Sequence, residues 1–89
     1  MRPISLQITY LHGKAFAAYI YLGGPPGIKS ARTEEVGSEL LVDYAEDGSP
    51  IGIEIVSPDV VSEDEINDVF DRLGLHRPAP ADLAPLRAA

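Results

Sequence analysis

LLVDYAEDGSPIGIEIV, residues 40–56, is the stretch that decides the fold. Leu40, Leu41, Val42 and Tyr44 make one strand. Asp47-Gly48 is a strong hairpin-turn pair, because Gly takes the positive φ that such turns demand. Ile51 to Val56 is the return strand. Ile51, Ile53 and Ile55 share one of its faces, and Gly52, Glu54 and Val56 share the other. That period of two is the mark of a half-buried antiparallel strand.

Moving outward, the same period recurs at the N-terminus. Ile4, Leu6, Ile8 and Tyr10 alternate with Ser5, Gln7 and Thr9. Leu11-His12-Gly13-Lys14 reads as a turn. Phe16 to Leu22 is a second strand, with Ala17, Tyr19 and Tyr21 on one face and Phe16, Ala18, Ile20 and Leu22 on the other. Both faces are partly apolar, so the strand is expected to be covered on both sides. Gly23-Gly24-Pro25-Pro26-Gly27 is a loop, because proline cannot donate to a ladder. Ile28 to Glu35 is polar and weakly patterned, and predicts a strand. Val36-Gly37-Ser38 predicts a turn.

Beyond the hairpin, Ser62 and Glu65 form an S-x-x-E capping box, with Val61 and Ile66 placed as a hydrophobic staple. Ile66, Val69, Phe70 and Leu73 make one apolar stripe, and Gly74 suits a left-handed cap. These signals predict a helix over 63–73. His76 to Ala89 carries Pro78, Pro80 and Pro85 among alanines and shows no apolar period. It is expected to be a flexible Pro/Ala-rich tail over 76–89, behind a single domain over 1–75. The predicted fold is α+β: a mainly antiparallel meander of four or five strands, with one C-terminal helix packed on one face.

Composition narrows the function. The 89 residues carry 7 basic and 14 acidic side chains, for a net charge of −7. The charge is unevenly placed. Residues 1–33 hold no acid, whereas 34–71 hold thirteen acids and no base. Such a field repels phosphate backbones over about 8 Å at physiological salt, so no nucleic-acid partner is expected. Mean hydropathy is +0.01, and no run approaches the ~20 apolar residues of a membrane span. Cys is absent, which removes disulfides, thiolate catalysis and Cys-ligated zinc. Neither a secretory signal nor a membrane role is expected, and a cytoplasmic setting fits.

Candidate chemistry is sparse. Gly23 to Ser30 lacks an intact G-K-[ST], since Ile28 separates Gly27 from Lys29. Counted from Asp43, Gly48 falls at position six and Glu54 at position twelve, as in a calcium loop. Position three, however, is Ala45, and a strand follows where an exiting helix is needed. A turn flanked by solvent-facing acids is the simpler account. Asp43 and Glu54 are conceivable as an acid–base pair on adjacent strands, but nothing supplies a nucleophile or oxyanion donor. His12 and His76 stand singly. No catalytic residue, cofactor or metal ligand is assigned.

Several pieces together resemble a short prokaryotic family, domain-of-unknown-function family 2283. They are Ala18-Tyr19-Ile20-Tyr21-Leu22, Thr33-Glu34-Glu35-Val36, and the hairpin ending Gly52-Ile53-Glu54-Ile55, in order and in rough spacing. Ala45 stands where the family pattern has Asp, and the Gly-Pro loop is longer than that pattern expects. The resemblance implies a small β-rich domain with no established activity. It also implies, through a reported neighbourhood with toxin-like genes, an antitoxin role.

The expected function is therefore that of a non-enzymatic interaction domain. One helix covers one sheet face, and a second copy is the simplest cover for the other, through Ala17, Tyr19 and Tyr21. The alternative is an acidic, antitoxin-like partner that neutralises a basic protein through Glu34, Glu35, Glu39, Asp43 and Glu54. An acid–base or metal-dependent enzyme is the minority alternative.

Overall fold

A computed structural model describes residues 4–24 and 27–88. Within them lie β1 (Ser5–Leu11), β2 (Lys14–Tyr21), β3 (Arg32–Gly37), β4 (Leu40–Tyr44), β5 (Pro50–Ile55), α1 (Glu63–Arg72) and α2 (Pro80–Ala88). The strands form one antiparallel sheet in the order β1-β2-β5-β4-β3. The fold is α+β, but the order departs from a simple meander. After β2 the chain crosses to the far edge, and β3, β4 and β5 wind back until β5 pairs with β2. That crossing spans three strand spacings, about 14 Å. It accounts for the length of the connection over 22–31, whose Pro25 and Pro26 lie outside the described residues. Its ends are tied where Leu22 N–H donates to Ile51 O and Ala31 N–H to Tyr44 O.

Local chemistry sets each turn. His12 and Gly13 both have positive φ, 53° and 77°, the requirement of a two-residue hairpin loop whose twist matches its strands. In the second hairpin Gly48 has φ 89°, and Asp47 Oδ1 accepts from the Ser49 amide and hydroxyl. Those bonds hold the Asp47 carboxyl below the usual carboxylate range. The β3–β4 turn falls at Ser38-Glu39, two residues later than the sequence predicts for its start, because Val36 and Gly37 still belong to β3.

Register sorts the strands into two faces. Ala18, Ile20, Ile53, Ile55, Leu40 and Val42 occupy one, and all are buried. Ile66, Val69 and Phe70 of α1 close on that face. Ser62 and Glu65 form the expected capping box, each side chain meeting the other's amide at 3.1 Å. Gly74 at φ 71° ends the helix, with Leu75 N–H bonded back to Phe70 O at 2.9 Å.

The tail needs correction. Residues 80–88 form α2, and its Leu83 and Leu86 are buried in the same core cluster. Pro80 sits at the helix start, where its missing N–H costs nothing. Asp82 accepts from the Ala79 amide at 3.0 Å, a side-chain cap for that start. So two helices, not one, cover the apolar face.

Candidate functional site

The other face carries no helix among the described residues. Its ladder positions are Ser5, Gln7, Thr9 and Leu11 on β1; Lys14, Ala17, Tyr19 and Tyr21 on β2; Gly52 and Glu54 on β5; Leu41 and Asp43 on β4; and Thr33 and Glu35 on β3. The side chains at its centre are organised without being deeply buried. The Tyr19 hydroxyl donates to Asp43 Oδ2 at 2.8 Å, and the Thr33 hydroxyl donates to Asp43 Oδ1 at 2.5 Å. One carboxylate thereby links β2, β4 and β3 across the intervening β5.

Gly52 makes that reach possible. Tyr19 stands opposite Glu54 in register, yet its ring lies over Gly52 on the way to Asp43. A Cβ at 52 would collide with the Tyr19 ring and its hydroxyl. Tyr21 packs edge-on against Tyr19, with ring centroids 4.7 Å apart. Partial burial pushes the Tyr19 phenol well up from its ordinary value, and the hydrogen bond and charge of Asp43 push the same way, with smaller contributions from Tyr21 and Glu54.

The candidate residues divide between regions. Ala17, Tyr19 and Tyr21 share the open face with Glu35, Asp43 and Glu54. Glu34 does not. It stands opposite Val42, on the helix side, and pairs with Arg32 at 3.1 Å. Arg32 in turn lies 4.0 Å over the Tyr44 ring. Glu39 sits in the β3–β4 turn. Asp43 and Glu54 are diagonal neighbours, since Asp43 opposes Gly52 and Glu54 opposes Leu41. Asp47, between Asp43 and Glu54 in the chain, is turned to its own hairpin, where it accepts from Ser49. Among the described residues no three His, Asp or Glu side chains are grouped to hold a metal ion.

Phe16 departs from its expected face. Thr9 pairs with Ala17 and Tyr10 with Ala15, so Phe16 is the extra residue of a bulge. It leaves the core row and is 60% exposed. With Leu11 and Val56 it lines an open groove of about 670 Å³ at the end of the sheet, which Ala17 and Glu54 join to the open face. Periodicity gives no warning of a bulge, so this groove is not legible in the sequence. Gly52 is: an isolated glycine inside a strand pattern marks a close approach of another group.

Tyr19, Thr33, Asp43 and Gly52 all fall in residues 17–57, which match the family model described as "Protein of unknown function (DUF2283)". The chain carries a DUF2283 segment. That segment runs from Ala17 in β2 to just past β5, and so contains the whole hydrogen-bonded network across the open face. The DUF2283 match leaves out β1, α1 and α2. No curated protein and no solved structure matches the chain. No helix among the described residues is long and apolar enough to cross a membrane.

Proposed function

We propose that the protein is a non-enzymatic interaction module that docks a basic protein partner on its open sheet face. One observation carries this reading. The open ladder positions present Tyr19 and Tyr21 with three acids, Glu35, Asp43 and Glu54, against a single base, Lys14, which stands opposite Leu11 at the hairpin end. Tyrosine brings contact area at low entropic cost, and an acidic surround attracts and orients a cationic partner.

A second copy of the chain is the other reading, and the exposed Leu11, Phe16 and Val56 favour it. Two-fold pairing of the open faces, however, brings three acids from each copy into one interface against one lysine from each, Lys14, and that excess of like charge disfavours the pairing. The basic partner is therefore preferred, and an antitoxin-like role is one biological form it takes.

The test uses an oligolysine peptide and two charge-reversed variants of equal net charge. One carries Glu35→Lys and Glu54→Lys on the open face. The other carries Glu63→Lys and Asp68→Lys on α1. The open-face variant is expected to weaken binding at least about tenfold more than the helix variant. Equal losses would mean that only the overall field attracts the peptide, and would refute a docking face. Light scattering completes the test: a salt-insensitive dimer at all concentrations would favour the second copy.

A further inference from the structure

We propose that the groove beside the open face reads a basic–apolar segment of the partner: a bulky apolar side chain seats on Leu11, Phe16 and Val56, and an arginine or lysine within about four residues of it lies over Tyr21 and against Glu54. This rests on the docking reading above and specifies what the partner must present.

Three observations carry it. First, the groove is apolar where it is most exposed. Phe16 is 60%, Leu11 52% and Val56 42% exposed, and each lines the groove. Its volume, about 670 Å³, is in the range of sites that enclose a small ligand or a few side chains. Second, the groove exists because the β1–β2 ladder bulges at Phe16. A bulge re-aims a side chain, and here it removes a phenylalanine from a core row that is otherwise buried. Third, the groove carries an acid where it meets the open face: Glu54 lines it there, and Asp59, past the end of β5, lines it as well. Lys14 and His12 stand at the hairpin end, the opposite side of the groove from Tyr21.

The geometry sets the spacing. Glu54 lies opposite Tyr19, and Tyr21 is two residues further along β2. From Ala17 at the groove to Tyr21 is four strand residues, about 13 Å at ~3.3 Å each. An extended segment covers that distance in about four residues. Tyr21 is 49% exposed, its ring face steadied by the edge-on contact with Tyr19. A guanidinium or ammonium over that ring gains a cation–π attraction, and Glu54 supplies the counter-charge.

The experiment is a selection of random short peptides against the full chain at physiological salt. The expected result is enrichment of Arg or Lys within four residues of Leu, Ile, Met, Phe or Trp. Calorimetry then compares the parent with Phe16→Ser, Phe16→Leu and Glu54→Gln on the best selected peptide. Phe16→Ser is expected to weaken binding about tenfold or more, with Phe16→Leu restoring most of it. Glu54→Gln is expected to weaken binding and flatten its salt dependence. Phe16 is exposed, so these variants are expected to keep the parent's circular dichroism. Enrichment of basic residues with no apolar neighbour, or binding indifferent to Phe16→Ser, would overturn the groove while leaving the docking face standing. Selection of peptides without basic residues would overturn both.

Discussion

The two faces of this sheet are built from the same strands, one residue out of phase, and they solve opposite problems. On the helix side, Ile20, Val42, Ile53 and Ile55 are fully buried under Phe70, Ile66 and the leucines of α2. Order there comes from exclusion of water and close packing. On the open side, Tyr19, Thr33 and Asp43 are ordered by two hydrogen bonds to one carboxylate and by a glycine that leaves room for a ring. A face can thus be pre-organised without being buried. Pre-organisation lowers the entropy that a docking partner must remove, which suits the open side to binding and the helix side to stability.

The contrast predicts a descending series of effects. Ile53→Ala on the helix side removes a fully buried side chain and is expected to cost about 2–5 kcal/mol in denaturant melts. A cost under about 1 kcal/mol would mean that the core is loose and the two faces less different than their burial implies. Gly52→Ala, one residue away on the open side, forces a Cβ into the Tyr19 ring. It is expected to cost about 1–3 kcal/mol by overpacking and to displace Tyr19 from Asp43. A neutral Gly52→Ala, with Tyr19 signals unmoved in magnetic-resonance spectra, would break the glycine argument.

The smallest effect is the sharpest probe of the open face. Tyr19→Phe deletes one donor to Asp43 while Thr33 remains, and is expected to cost about 1 kcal/mol at neutral pH. The cost should depend on pH in one direction. The Tyr19 phenol is pushed above its ordinary 10.0, so folding favours its neutral form. That contribution is fully present below pH 10.0 and is lost as pH climbs above it, while the unfolded chain ionises first. The parent's advantage over Tyr19→Phe should therefore shrink in alkaline melts. Ultraviolet difference titration should find one tyrosine ionising late, and Asp43→Asn should bring it partly back, since burial remains. A late tyrosine unaffected by Asp43→Asn would assign the shift to burial alone.

Legibility in the sequence followed the kind of force at work. α1 was readable because Ser62, Glu65 and Gly74 act within a few residues of one another, and its stripe has a clean period. The alternation at Ile51, Ile53 and Ile55 was readable for the same reason. α2 was hidden by Pro85, which lies inside the helix against local preference. Only Pro80, Asp82 and the spacing of Leu83 and Leu86 hinted at it, and tertiary burial decides the matter. The strand order was not readable, since choosing β5 over β3 as the neighbour of β2 is a long-range decision. Of the open-face residues, Tyr19, Asp43 and Glu54 were visible as polar and aromatic members of alternating strands. Thr33 and the Phe16 bulge were not, because their roles arise only when separate strands are set side by side.

Docking of a basic partner on the open face is the central proposal. The most direct measurement is a map of backbone amide shifts as the protein is titrated with a selected basic–apolar peptide. Shifts concentrated at Ala17, Tyr19, Tyr21, Asp43 and Glu54, with α1 and α2 quiet, are the predicted result. Shifts confined to α1, or scattered over every acidic residue alike, would contradict it.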